Sequence, residues 1–151
     1  MLRVSRDNVE LVKAAHPQSG ADLTKLLADG SQSQDRLDAM AALFHPEFTF
    51  SGALIGGPED REEGTGLANL MVRWREWMEP WEVYWTEVED IVDARDNQVL
   101  VKVRDHGRLR GADQEVRHLG ASIWTIEARK IVRIDFYLDR RQAMEAVGLR
   151  G

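Results

Sequence analysis

Asp105 and His118 are the side chains in this sequence whose types and placement could move a proton inside a folded core. Val99, Val101 and Val103 alternate with Leu100, Lys102 and Arg104, so the odd positions form the buried face of a strand and Asp105 continues it. Gly111-Ala112 suits a two-residue hairpin turn with glycine first, as a type II′ turn requires. That turn pairs Arg110 with Asp113 and Arg108 with Glu115 on the outer face. On the inner face it sets Asp105 opposite His118, Val103 opposite Gly120, Val101 opposite Ser122 and Val99 opposite Trp124. A carboxylate facing an imidazole orients the ring and stabilises its charged form, which makes the histidine an acid or base near neutral pH. The plainer reading is a satisfied polar pair at the mouth of a curved sheet, since such pairs also serve structure.

Around this pair the same register builds apolar walls. A three-residue loop near Ala128-Arg129 keeps Ile134, Phe136 and Leu138 inside. Phe50 adds a ring from an earlier strand, and Trp74 and Met78 from a helix. Gly120 and Ser122 leave space between longer neighbours, and Ser122 offers a hydroxyl to a substrate oxygen. Apolar walls with few polar groups are the usual make-up of a small-molecule site, here lined by Phe50, Trp74, Met78, Val103, Gly120, Ser122, Trp124 and Phe136. Trp74, Trp77, Trp81 and Trp85 form either an aromatic wall for a flat ligand or, as large apolar side chains, part of the core.

Other chemistries find little support. The chain has no cysteine, which excludes thiolate nucleophiles, thiolate zinc sites and disulfides. No two histidines have ligand spacing, and one inner histidine with one inner aspartate is too few for a metal, so neither metal nor cofactor is expected. His45 sits at an expected helix end, where a structural role suits it, and His16 and His106 read as surface residues. The arginines from Arg104 to Arg110, with Arg117, read as a paired outer face. With a net charge of −6, the chain lacks the field that attracts phosphate backbones or anionic lipid, so neither nucleic acid nor membrane is an expected partner. No signal-like apolar run opens the sequence, and the expected compartment is the cytoplasm.

The elements that position these residues follow from periodicity. Ser5 can cap a first helix, with Val4 and Val9 as a hydrophobic staple and Val9, Val12 and Ala15 on its buried side. A short helix is expected from Asp22 to Asp29, and another carries Leu37, Met40, Leu43 and Phe44 up to His45-Pro46. A strand holds Phe48 and Phe50, and a helix holds Leu67, Leu70, Met71, Trp74 and Met78. Period-two segments at Val83–Val92, Gln98–Leu109, Gln114–Ile126 and Ile131–Leu138 predict an antiparallel meander, closed by a helix from Arg141 to Val147. The outcome is one α+β domain spanning residues 1–151. The outer row Leu119, Ala121 and Ile123 is too apolar for water, and a homodimer through that face is the expected cover.

The chain resembles the SnoaL-like branch of the nuclear transport factor 2-like superfamily. The resemblance runs through Ser5-Arg6-Asp7-Asn8-Val9-Glu10, Leu43-Phe44-His45-Pro46-Glu47-Phe48, Ile91-Val92-Asp93-Ala94, Trp124-Thr125, Lys130-Ile131-Val132-Arg133 and Tyr137-Leu138-Asp139-Arg140. It implies a cone-shaped fold, a curved antiparallel sheet with helices packed on the concave face. The superfamily includes polyketide cyclases, ketosteroid isomerases, dehydratases, epoxide hydrolases and non-catalytic domains, so fold alone does not choose the reaction. An extra segment, roughly Gln18 to Ser33, departs from the pattern. Ala128-Arg129-Lys130 stands where the family often has Asp-Gly-Lys, so a left-handed Arg129 would cost about 1 kcal/mol. Against limonene epoxide hydrolase, Asp105 falls on one catalytic aspartate. Val103 replaces its arginine, Phe136 its second aspartate, and Phe50 and Gly52 its water-positioning pair, so that hydrolytic mechanism is not expected.

Two functions remain. One is cofactor-independent acid–base chemistry on a small apolar metabolite (cyclisation, isomerisation, dehydration or hydrolysis), with His118 moving the proton and Asp105 holding its tautomer. The other is non-catalytic binding of a small ligand in the same pocket.

Overall fold

Period-two alternation after Trp81 gives way to helical spacing before it, and the structure, a computed structural model describing residues 2–17, 19–24, 34–52 and 63–148, is built accordingly. Along the chain α1 (Leu2–Ala15) and α2 (Gln34–Ala41) precede β1 (Phe44–Gly52), β2 (Gly64–Thr65) and α3 (Leu67–Met78). Then come β3 (Trp81–Asp93), β4 (Gln98–Leu109), β5 (Val116–Glu127), β6 (Lys130–Tyr137) and α4 (Arg140–Ala146). The six strands form one curved sheet in the order β2-β1-β6-β5-β4-β3. β1 runs parallel to β6, and the other neighbours are antiparallel. This is the nuclear transport factor 2-like architecture. No described helix is long and apolar enough to cross a membrane.

The expected β4–β5 register is observed from Gln98 to Gly107, including Asp105 opposite His118, Val103 opposite Gly120, Val101 opposite Ser122 and Val99 opposite Trp124. The tip differs. Ala112 N–H donates to the Leu109 carbonyl at 3.0 Å and Gly111 has φ 80°, so Arg110-Gly111 forms the bend in place of Gly111-Ala112. The expected arginine pairings dissolve with it. Arg108 donates to the Ala112 carbonyl and Arg110 to the Glu79 carbonyl. The arginines Arg104 and Arg117 pair instead with Glu89 and Glu115.

At the β5–β6 turn the expected three-residue loop is replaced by two residues. Glu127 pairs with Lys130, and both Ala128 (φ 48°) and Arg129 (φ 65°) are left-handed, as a type I′ turn demands. A bulge between Thr125 and Ile126 restores the offset the longer loop would have given, so Ile134 and Phe136 pair with Trp124 and Ser122 on the inner face. Leu138 falls beyond the strand.

Three local expectations fail at helix ends. α1 begins at Leu2, which puts Ser5 inside the helix and not at its cap. Asp22 bridges to Trp85 and starts no helix, because its carboxylate accepts from Thr24 N–H and hydroxyl; residues 25–33 lie outside those described. α2 stops at Ala41, and Phe44 opens β1.

The main core lies on the concave side, where Val12 and Ala15 of α1 pack on Phe44, Phe48, Phe50, Val99, Val101, Trp124 and Ile134. α4 lies on the opposite side, and this corrects the expectation of helices on the concave face alone. Its Ala143, and Val147 just after it, pack on Leu100, Ala121 and Ile123. The apolar outer row is therefore covered from within the chain, and of the three residues only Leu119, 46% exposed, still meets solvent.

Candidate functional site

Asp105 is placed by strand alternation on the concave face of β4 and is almost completely buried. Its partners come from β3, where Thr86 pairs directly opposite. The Tyr84 hydroxyl donates to Asp105 Oδ2 at 2.7 Å and the Thr86 hydroxyl to Oδ1 at 2.8 Å. Burial raises the Asp105 pKa above the usual carboxylate range, against the pull of those two hydroxyls and of the nearby His118 and His16. The Tyr84 phenol is pushed far up by burial and by the adjacent carboxyl, so it stays a proton donor.

His16 follows α1 by one residue, and its N–H still bonds the Val12 carbonyl at 2.8 Å. Its Nδ1 lies 2.9 Å from the Pro17 carbonyl. A carbonyl only accepts, so Nδ1 carries the proton and Nε2 is the basic nitrogen of the neutral ring. Burial lowers the His16 pKa, while the Pro17 carbonyl and Asp105 oppose that shift. The ring lies 5.7 Å from that of Trp124.

Both groups line a cavity of about 400 Å³ between the concave sheet and the helices. Its walls are mainly apolar: Leu23, Phe44, Leu67, Leu70, Met71, Trp74, Val103, Trp124, Ile134 and Phe136. Thr86 and Ser122 add hydroxyls, while Asp38 and Met40 of α2 stand exposed at its rim. Among the described residues, no group of three or more His, Cys, Asp or Glu side chains is placed to hold a metal ion.

Of the residues expected at the site, Asp105, Trp74, Val103, Ser122, Trp124 and Phe136 meet around this cavity. His118 does not join them. Its Nε2 bonds the Leu138 carbonyl, and both Asp105 oxygens are already taken by Tyr84 and Thr86, so the pair is adjacent in register but not hydrogen-bonded. Phe50 is fully buried beneath Arg73, whose guanidinium lies 4.8 Å from the ring centre. Met78 belongs to a core cluster with Leu23, Trp77, Trp81 and Tyr84. Gly120 is buried beside Asp105, where an added Cβ would meet the Tyr137 carbonyl at 3.3 Å.

The four tryptophans separate. Trp74 lines the cavity, Trp77 and Trp81 are core, and Trp85 stacks on His106 at 3.9 Å on the other face. His106 is thereby buried and not a surface residue, held between Glu115 at 2.7 Å and Glu87 at 3.3 Å. His45 lies in β1, where its Nδ1 accepts from Glu47 N–H at 3.0 Å, because the helix it was expected to end stops at Ala41.

The histidine that sequence reading missed is His16. One signal was available: it stands four residues after Val12, on the buried side of an amphipathic helix. Thr86 was legible only once the β3–β4 register was known. Leu23 reaches the wall because Ser19–Thr24 runs along the free edge of β3, with Leu23 N–H on the Tyr84 carbonyl at 2.7 Å and Gly20 N–H on that of Thr86 at 2.9 Å.

The geometry agrees with comparisons to known proteins. No curated protein matches the chain. A structure named putative SnoaL-like polyketide cyclase, from Jannaschia sp. CCS1, superposes with a TM-score of 0.63 at 16% identity, over 97% of this chain and 94% of that one. A protein with a ketosteroid isomerase-like fold from Catenulispora acidiphila, in complex with trimethylamine, gives 0.58 at 16% identity over 93% and 94%. A phenazine biosynthesis-related protein from Pseudomonas aeruginosa gives 0.56 at 16% identity over 99% and 86%. At these identities the likeness is one of fold. The SnoaL-like domain model matches residues 23–134, which hold α2, α3 and most of the sheet but not α1. The chain belongs to the SnoaL-like domain family.

Proposed function

We propose that the protein binds a small, largely apolar molecule in this cavity and performs acid–base chemistry on it without a cofactor, using Asp105 and His16. The observation that carries this reading is a buried carboxyl, with its pKa raised by burial, on the wall of an apolar cavity of about 400 Å³. A carboxyl whose pKa is raised holds its proton to higher pH than an ordinary aspartate and is the better placed to pass it to a substrate. His16 supplies the second group, neutral because burial disfavours its charge, with Nε2 left as the acceptor. A base that removes a proton next to a carbonyl and an acid that returns one elsewhere give isomerisation or cyclisation. His16 takes the part that sequence reading gave to His118. Solved neighbours named for polyketide cyclisation, or holding a small amine, accord with such a pocket.

Deuterium exchange tests the chemistry. The neutral ketone 1-tetralone, incubated with the protein in deuterated buffer, is expected to exchange the protons next to its carbonyl faster than in buffer alone. Asp105→Asn should cut the protein-dependent rate by about 10²-fold or more. An unchanged rate in that variant removes Asp105 from the chemistry.

One observation favours the non-catalytic alternative: both Asp105 oxygens already accept hydrogen bonds from Tyr84 and Thr86. Under that reading the ketone binds and no exchange occurs.

A further inference from the structure

Ser122 and Trp124 lie two residues apart on β5, so both side chains project from the concave face. The Trp124 indole N–H donates to Ser122 Oγ at 2.8 Å. An indole nitrogen is a donor only, so the direction of this bond is fixed. It occupies a lone pair of the hydroxyl and leaves the hydroxyl proton to be placed. No acceptor among the described residues takes that proton. Ser122 is 5% exposed and lines the cavity, so a molecule held in the cavity can meet its proton. A buried donor left unmade is costly, and such groups in folded proteins find a partner.

No lysine or arginine stands among the described lining residues to balance a negative ligand. The surrounding wall is apolar, with Trp124, Ile134 and Phe136 nearest in register. From this geometry we infer that Ser122 is the cavity's hydrogen-bond donor to an oxygen of the ligand, set in that direction by the Trp124 indole, and that the ligand is an oxygen-bearing, mostly apolar molecule without a negative charge. The inference rests on the small-molecule reading of the cavity but not on the acid–base chemistry at Asp105. Within it, Ser122 decides which molecules are held, and Trp124 is a positioning residue acting through Ser122.

Three bicyclic probes of similar size separate the possibilities: 1-tetralone with a carbonyl oxygen, tetralin without one, and 1-naphthoate with a charge. Calorimetric titration of the full chain is expected to rank tetralone first. Ser122→Ala should reduce the preference for tetralone over tetralin by about 3- to 10-fold. Trp124→Phe should reduce the same ratio in part, and because that change also removes core contacts, the Ser122→Ala ratio is the deciding measurement. An unchanged ratio in Ser122→Ala overturns the inference and spares the cavity. Tightest binding by 1-naphthoate overturns the exclusion of anions. Absence of binding by all three overturns the small-molecule reading and this inference with it, whereas loss of deuterium exchange alone touches only the chemistry.

Discussion

Tyr84 donates its hydroxyl proton to Asp105 Oδ2 across 2.7 Å, from the neighbouring strand and from a ring with no solvent exposure. The phenol has been lifted so far by burial that it remains a donor at any workable pH. The bond therefore favours the ionised carboxyl and opposes the burial that favours the protonated one. Tyr84→Phe keeps the packing and removes only this donor. The Asp105 pKa should rise further, as read from its side-chain carbon resonance during a pH titration. Near neutral pH the protein should also lose about 1–3 kcal/mol of stability in urea unfolding.

The two buried titratable groups of the cavity give opposite pH signatures. Asp105 has a folded pKa above its ordinary value of 3.8, so its contribution to stability is fully present below that pH and is lost as pH rises through the folded value. His16 has a folded pKa below its ordinary value of 6.5, so its contribution is present above 6.5 and is lost as pH falls through the folded value. Asp105→Asn should therefore flatten the decline in stability above pH 3.8, and His16→Gln the decline below 6.5. Urea midpoints across pH 4 to 8 for the three proteins check both. A wild-type curve reproduced by both variants would show that neither group is perturbed.

What the sequence carried and what it hid divide along the β-sheet. Strict alternation on β4, together with its pairing to β5, brings Asp105, Val103, Ser122 and Trp124 to one face from the residue pattern alone, because side-chain period is fixed by the strand. The histidines were not legible in this way. His118 lies in the expected register, yet its ring bonds the Leu138 carbonyl, a choice of rotamer and loop path that register does not determine. His16 reaches the cavity through the packing of α1 on the concave face, which its sequence position alone does not reveal. The cover of the outer face was hidden for a related reason. Ala143 lies in, and Val147 just after, a helix too short to announce which face it packs against.

The turn between β5 and β6 offers a test of backbone strain. Ala128 and Arg129 both hold φ near +50 to +65°, where side chains with a Cβ are disfavoured by roughly 1–2 kcal/mol each. Asparagine and glycine are the residues that type I′ turns select. The double change Ala128→Asn with Arg129→Gly should therefore raise stability by about 1–2 kcal/mol, measured as a higher urea midpoint with an unchanged slope. Both residues are exposed, so no lost packing offsets the gain. A neutral or lower midpoint would mean that the turn relaxes away from these angles in solution.

Gly120 separates the open part of the concave face from the closed part. Its missing side chain suggested free space between Val103 on one side and Phe136 and Leu138 on the other. The space is taken: a Cβ there would stand 3.3 Å from the Tyr137 carbonyl oxygen and 3.6 Å from both Asp105 Oδ2 and Val103 Cγ2. The cavity opens further along β5, at Ser122 and Trp124. Gly120→Ala should be accommodated by a shift of a few tenths of an ångström. Gly120→Leu extends the side chain into a wall that includes the buried carboxyl, so overpacking should cost about 1–3 kcal/mol. Because Asp105 Oδ2 also receives the Tyr84 hydroxyl, pressure at this point should disturb that bond, and the Asp105 titration should move together with the unfolding midpoint. Tetralone affinity in Gly120→Ala should stay at the wild-type level, since Gly120 is not among the residues that line the open cavity. A Gly120→Leu protein as stable as the wild type, with tetralone binding abolished, would instead place the ligand against Gly120.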